Sequence, residues 1–298
     1  MKRGVCGAHG RREGAVKTIL NVFKLRIGVV ITWTALAAAA ITPGTPLSGW
    51  KTLVLALSVL IASASAGAFN QYVERDIDAR MTRTRNRPFV TGAAVHDARW
   101  VWLIMALTAG AVLAAGWALN PLTALYVFLG AFFYAVVYTV WLKRRTWMNI
   151  VIGGLAGSFA VLAGAAAVAP GLPAQPLILA IVLFLWTPSH FWSLAIAYRD
   201  DYVAAQVPML PAVIGAARSA RVILANTVLL VAVSLAPVFH GSGWIYFAGA
   251  ALGGAWFIVR AVKLVREPSR KNAMASFFAS LAQLSLVLGA AMIEAALR

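Results

Sequence analysis

The chain has 298 residues, of which 61% are hydrophobic and 12% charged, with a formal net charge of +17 and a mean hydropathy of +0.81. Soluble domains carry about one quarter charged residues, so this composition excludes an ordinary soluble protein and points to a chain that lives in lipid. A basic excess of this size would suggest nucleic acid in a soluble domain, but here it falls between apolar blocks and reads as membrane topology; the single cysteine, Cys6, excludes a disulfide framework.

The chain opens on a basic leader, "MKRGVCGAHGRREGAVK", residues 1–17. No small-residue cleavage site follows a short apolar core, so the leader is expected to stay as a cytoplasmic tail; a mitochondrial presequence is the rival, weakened by the acidic Glu13. The remainder, 18–298, has no Gly/Ser-rich linker or low-complexity tract and reads as one domain. A bilayer core needs about 20 apolar residues per helix. Such windows lie near 22–42, 51–70, 99–118, 122–141, 149–169, 177–198, 221–240, 243–262 and 274–296, separated by breakers such as "TPGTP", "LNP" and "APGLPAQP". The expected fold is therefore all-α, a polytopic bundle of about nine spans.

The basic residues fall on alternate sides of these windows. After the leader, the loop between the second and third windows carries Arg75, Arg80, Arg83, Arg85 and Arg87, and the next basic loop Lys143, Arg144 and Arg145. Arg199, Arg218 and Arg221 follow, then Lys263, Arg266, Arg270 and Lys271, while the other side holds little beyond Lys51 and Arg298. The positive-inside rule puts the N-terminus and every basic loop in the cytoplasm. Small-residue runs such as "GGLAG" (153–157) and "AGAALGGA" (248–255) are expected to serve close helix packing.

Acids are scarce, so their placement informs. Five of nine lie in two clusters at cytoplasmic helix ends: Glu74, Asp76 and Asp78, then Asp200 and Asp201. If the second helix continues past Phe69, Asn70, Glu74 and Asp78 recur at every fourth residue and share one face within roughly 80°. Asp76 points elsewhere and is the acid least suited to join them, an arginine partner instead. Two carboxylates and an amide oxygen are hard ligands of the kind Mg²⁺ prefers. The arginines at 80–87 suit phosphate through forked hydrogen bonds. The alternative is a solvated loop with salt bridges one helical turn apart, but ionisable residues at an apolar helix end are functional by default. In the second cluster Asp200 and Asp201 diverge by about 100°, so only one is expected to face the first cluster. Arg199 offers a phosphate contact, and Tyr198 and Tyr202 bracket the acids; a helix-end cap with interfacial aromatics explains this stretch equally well. Met81 falls on the Asn70 face, where most such residues pack.

The stretch "NQYVERDIDARMTRTRNRP" (70–88) resembles the first acidic motif of the intramembrane aromatic prenyltransferases of the UbiA superfamily, in particular its heme-farnesylating branch, the protoheme IX farnesyltransferases. "FKLRIGVVITWTAL" (23–36), "YTVWLKRRTWMNIVIGGLAG" (138–157) and "FLWTPSHFWSLAIAYRDDYVAAQVPMLP" (184–211) agree with it, and the resemblance covers about residues 18–295. The chain departs from the pattern at several positions, and its adjacent Asp200 and Asp201 do not give the spaced acid pair of the superfamily's other branches. Glu74 stands where aspartate is commoner, a Pro-Pro pair is missing near 160–161, Ser189 stands for a second proline, and Gln206 for a glycine.

The resemblance implies transfer of a farnesyl group from farnesyl diphosphate to a vinyl carbon of heme B, with water completing a hydroxyethylfarnesyl product, heme O. It implies a cavity between the helices that opens to the cytoplasmic face of a bacterial inner membrane. It implies Mg²⁺ on Asn70, Glu74 and Asp78, with Asp200 or Asp201 assisting, and Arg83, Arg87, Lys143 and Arg199 on the diphosphate. Tyr198 and His190 are expected against substrate, His190 as the heme-facing residue of the sixth helix; a buried histidine bonded to a neighbouring helix is the equal alternative. Heme A synthase or oxidase assembly proteins are the expected partners. A quinone or chlorophyll prenyltransferase keeps the chemistry with another acceptor. A heme or lipid transporter keeps the membrane but not the chemistry; against it, the acids lie at a membrane face and no matching half-repeats are evident.

Overall fold

The computed structural model describes residues 17–297, and every regular element among them is helical. The expected leader therefore lies, but for Lys17, outside the described residues. Eight helices are long and apolar enough to cross a bilayer: α2 (Gly49–Val73), α3 (Arg99–Ala118), α4 (Pro121–Leu142), α5 (Asn149–Val168), α6 (Ala174–Ala197), α7 (Ala216–His240), α8 (Trp244–Arg266) and α9 (Arg270–Ala296). The apolar helix α1 (Leu25–Ile41) is shorter, at 17 residues. These helices match the expected windows to within a few residues, because the bilayer sets both their length and their composition.

Each helix packs on the next, and α9 returns to α1, so the bundle closes as a ring. Contacts of α1 with α5, and of α6 with α9, cross its interior. Helix α3 is peripheral, with 22% of its apolar window buried against 56% for α6.

Small residues govern the crossings. In α5, a Cβ added to Gly164 would stand 1.9 Å from the carbonyl oxygen of Ala35, so only glycine lets α1 and α5 touch backbone to backbone. At the α8–α9 crossing, a Cβ on Gly253 would meet the Cα of Gln283 at 2.9 Å. The run at 248–255 therefore serves packing, as its composition implied.

Helix α4 has distinct ends. It starts at Asn120, whose side chain accepts from the Thr123 amide at 2.8 Å, followed by Pro121 at the first helical position. Its last ten residues, Phe133–Leu142, wind as a π-helix, a rare geometry that recurs at functional sites.

Candidate active site

Helix α2 ends at Val73, and Glu74 bends the chain at φ −92° and ψ 15° before a short helix resumes over Arg75–Arg80. The hydrogen-bond track nevertheless continues, from the Glu74 amide to Asn70 O at 3.0 Å and from the Asp78 amide to Glu74 O at 2.8 Å. Asn70, Glu74 and Asp78 thereby share one buried face, with 2%, 0% and 2% exposure. Asp76 points outward and takes both nitrogens of the Arg144 fork, at 2.9 and 2.7 Å. Hydrogen bonding from Arg144 holds the Asp76 carboxyl below its usual range.

Each of the three side chains on the buried face meets a cation. Lys24 Nζ donates to Asn70 Oδ1 at 2.7 Å, Lys143 Nζ to Glu74 Oε2 at 2.5 Å, and Arg87 to both Asp78 oxygens at 2.8 and 2.6 Å. The Asn70 amide donates to Thr139 Oγ1 at 3.0 Å, and Thr139 donates to Tyr134 O, five residues back, at 2.8 Å. The π segment thus sets Thr139 and Lys143 together against α2. The Lys143 amide bonds Tyr138 O at 2.9 Å, and its ammonium lies 5.5 Å from the Tyr138 ring. Pro88 keeps Arg87 extended, at φ −69° and ψ 148°, as the residue before a proline favours, and opens a short helix to Thr91.

The second acidic cluster joins through Asp201 alone. Its Oδ1 accepts from Thr82 Oγ1, and its Oδ2 from the Arg83 amide at 3.3 Å. Partial burial pushes this carboxyl up, but the hydrogen bonds from Thr82 and Arg83 outweigh that and leave it lowered. Asp200, one residue away on the helix Arg199–Ala204, projects into solvent with only a loose pairing to Arg199 at 3.9 Å. The helical step of about 100° separates the two, so of the pair it is Asp201 that meets the 82–83 loop while Asp200 faces solvent. Arg199 turns instead to Pro211 O at 3.0 Å, and Tyr198 carries Arg270 over its ring at 5.1 Å. Neither faces Asn70, Glu74 or Asp78 through any hydrogen bond among the described residues. Arg83 reaches Asp201 by its backbone, with its side chain exposed. Met81 is buried and packs with Ile77, Ile150 and Trp192.

The donor set bears on a divalent cation. Among the described residues no three His, Cys, Asp or Glu side chains form a metal-holding group, so Asp201 does not complete the expected four-ligand set with Glu74 and Asp78. What remains, two carboxylates and an amide, suits Mg²⁺, which is usually bound by one or two carboxylates plus substrate phosphates. Glu74 Oε1 is buried without a hydrogen-bond partner among the described residues, a free hard acceptor on that face.

His190, in α6, is buried and bonded to the neighbouring helix: its Nδ1 lies 2.7 Å from Ser280 Oγ. Ser189, at the position where a second proline was expected, accepts from Asn226 Nδ2 at 2.7 Å and so ties α6 to α7. Gln206 has φ +56°, which explains why a glycine was expected there. A recess of about 470 Å³ lies at the opposite end of the bundle, lined among others by Thr42, Gln175, Tyr246 and Glu294. It is remote from Asn70, Glu74 and Asp78, since Thr42 and Lys24, which bonds Asn70, cap opposite ends of α1.

Two residues of this site escaped the sequence reading, Lys24 and Thr139. Lys24 takes a left-handed backbone at φ 48° just before α1, a conformation that costs a non-glycine residue about 1–2 kcal/mol. Its only signal in sequence is a lysine at the mouth of an apolar window. For Thr139 there is none, because its position depends on the π turns.

A model of the UbiA prenyltransferase family matches residues 31–286. The chain is 57% identical over 279 residues to Protoheme IX farnesyltransferase 2 of Paramagnetospirillum magneticum, covering 94% of this chain and 97% of that protein. It is 48% identical to Protoheme IX farnesyltransferase 1 of the same organism, covering 90% and 94%. In fold it is similar to a digeranylgeranylglyceryl phosphate synthase, with a TM-score of 0.75 at 18% identity over 94% of this chain and 98% of that one. A UbiA homolog from Archaeoglobus fulgidus bound to DMAPP and Mg²⁺ gives a TM-score of 0.65 at 17% identity, covering 91% and 99%.

Proposed function

The chain belongs to the UbiA prenyltransferase family, and we propose that it farnesylates heme B to heme O with release of diphosphate. The observation that carries this reading is the interleaving of buried oxygen donors (Asn70, Glu74, Asp78) with cations (Lys24, Lys143, Arg87) at one end of α2. A diphosphate needs both: cations for its own oxygens, and carboxylates for the metal that accompanies it. The nature of the acceptor and of the prenyl chain follows the relatives named Protoheme IX farnesyltransferase, which this chain matches over nearly its whole length.

Glu74, Asp78 and Asn70 would hold Mg²⁺, which would supply Lewis-acid neutralisation of the leaving-group charge. Lys24, Lys143 and Arg87 exchange their carboxylate and amide partners for diphosphate oxygens and stabilise the anion as it departs. Arg83 extends this cationic wall from the loop. Asp201 fixes that loop through Thr82 and the Arg83 amide. The C–O bond of the allylic diphosphate breaks with its electron pair leaving on oxygen. A heme vinyl carbon attacks the allylic cation, water adds to the resulting porphyrin-side cation, and a proton is lost. Apolar helix faces around the site keep stray water from the allylic cation.

In this reading α1 also crosses, at about 25 Å of rise a short span that lies within the usual range. Nine spans then put all the basic loops, the N-terminus and the acid-bearing mouth of the cavity on the cytoplasmic face of a bacterial inner membrane.

Purified protein incubated with heme B, farnesyl diphosphate and Mg²⁺ is expected to yield a pigment heavier than heme B by a farnesyl group plus water, with diphosphate released. Heme recovered unchanged, from protein that is folded and supplied with both substrates, overturns the reading.

A further inference from the structure

We infer that Gln71 is a positioning residue for diphosphate departure, acting through Lys24: it holds the strained turn that sets the Lys24 ammonium in the site. This rests on the reading of Lys24 as a cation that takes diphosphate oxygens. A helical segment over 17–22 breaks at Phe23 and Lys24 before α1 begins. The last carbonyls of a helix have no partner within it. Here the left-handed Lys24, at φ 48° and ψ 43°, leaves them without the next amides. The Lys24 amide reaches Asn21 O only at 3.4 Å, and the Ile27 amide bonds onward to Lys24 O at 2.9 Å. Gln71 fills the gap from a buried position in α2, 2% exposed. Its side-chain nitrogen donates to Asn21 O at 2.7 Å and to Val22 O at 3.0 Å, one amide serving two consecutive carbonyls.

Asn70 and Gln71 are neighbours on α2, so their side chains leave it about 100° apart. Asn70 takes the tip of Lys24, 2.7 Å from Nζ, while Gln71 takes the backbone two and three residues before it. The stem between them lies along α2: a Cβ added to Gly67, one turn before Gln71, would touch Lys24 Cβ and Cδ at 3.5 Å. On the other side of the turn the Phe23 ring packs on Trp100 of α3, with centroids 6.2 Å apart. The lysine is thus held at its tip, its stem and the backbone that precedes it. A tie that only joined the segment to α2 would not need a lysine in a conformation that glycine adopts freely. Strain of this kind persists where the surrounding structure over-determines it, and it gathers at functional sites. Here it delivers an amine onto Asn70, beside Glu74 and Asp78.

The test follows farnesylation by the full chain in detergent, with heme B and farnesyl diphosphate varied separately at saturating Mg²⁺. Four proteins are compared: wild type, Gln71→Met, Lys24→Met and the double variant. Gln71→Met keeps the length of the side chain and removes both donors. Lys24→Met is expected to lower kcat/KM for farnesyl diphosphate by on the order of a hundredfold, as loss of one donor to developing charge does. Gln71→Met is expected to lower it by about tenfold, through displacement of that ammonium. The KM for heme B is expected to stay at the wild-type value in both. In the Lys24→Met background, Gln71→Met is expected to cost less than about twofold, because the group it positions is already gone. A tie that serves the fold alone lowers activity by the same factor in both backgrounds and moves both substrates together. That result, or a wild-type kcat/KM in Gln71→Met, overturns the inference. Gln71→Asn, which draws the donors back by one methylene, carries the same cycle if Gln71→Met does not fold. If the wild type converts heme B and the cycle shows no coupling, only the role of Gln71 fails; if the wild type shows no conversion, the reading of the reaction fails with it.

Discussion

Replacing Lys143 by methionine tests the pairing at the centre of the site. Its ammonium lies 2.5 Å from Glu74 Oε2, with side-chain exposures of 11% and 0%. The other oxygen of the same carboxylate has no hydrogen-bond partner among the described residues. Lys143→Met therefore strands a fully buried charge. Breaking such a pair from one side costs about 3–5 kcal/mol, whereas replacing both partners by uncharged groups is often neutral. Glu74→Gln with Lys143→Met is accordingly expected to unfold close to the wild type, giving a coupling of about 3 kcal/mol in the double-mutant cycle. Thermal unfolding of the four detergent-purified proteins at one scan rate reads the order: wild type and double variant above, Lys143→Met below. The farnesylation assay separates stability from function, because the restored double variant is expected to stay inactive. Lys143→Met unfolding with the wild type, or additive single effects without coupling, refutes the reasoning.

Gly164→Ala should lower the unfolding midpoint. The new Cβ would sit 1.9 Å from Ala35 O, a backbone atom that cannot swing aside, and overpacking of this kind costs about 1–3 kcal/mol. Gly110→Ala in α3, where a Cβ meets nothing within 4 Å, is the control and should be neutral or stabilising by up to about 1 kcal/mol; equal midpoints for the two variants refute the crossing. Gln206→Gly is expected to stabilise by about 1 kcal/mol, since it removes a side chain from φ +56°, and a loss of stability counts against it. Arg144→Gln should cost less than about 1 kcal/mol near neutral pH, because the pair with Asp76 is half exposed. Asp76 titrates below the ordinary value of 3.8 in the folded protein, so the pair's contribution is complete above that value and fades as pH falls through the lowered one. A wild-type advantage that persists undiminished in strong acid refutes this.

The spans were legible because a bilayer imposes a length and a composition that no soluble fold shares. The face formed by Asn70, Glu74 and Asp78 was legible because helical phase alone decides it, and the same phase excluded Asp76. The choice between Asp200 and Asp201 was not, since adjacent residues carry equal chemistry and only the approach of Thr82 distinguishes them. Nor could the sequence show that Lys143 and Arg87 sit on carboxylates, because a cation beside an acid and one aimed at phosphate read alike. Lys24 depends on a left-handed turn and Thr139 on π turns, and neither conformation follows from propensity. Gln206 is the opposite case: the expectation of glycine at that position already encoded its backbone angle.

The π segment also bears on how such a chain can change over descent. A residue in an α-helix advances the next by about 100° and 1.5 Å. Over 133–142 the register is set instead by bonds of the kind that join Thr139 Oγ1 and Lys143 N to partners five residues back. Loss of one residue there would return the segment toward ordinary winding and turn Lys143 off Glu74, whatever the identity of the residue removed. Substitutions on the lipid-facing side of this stretch leave that count intact. The geometry thus constrains the length of this stretch more than the identity of its lipid-facing residues.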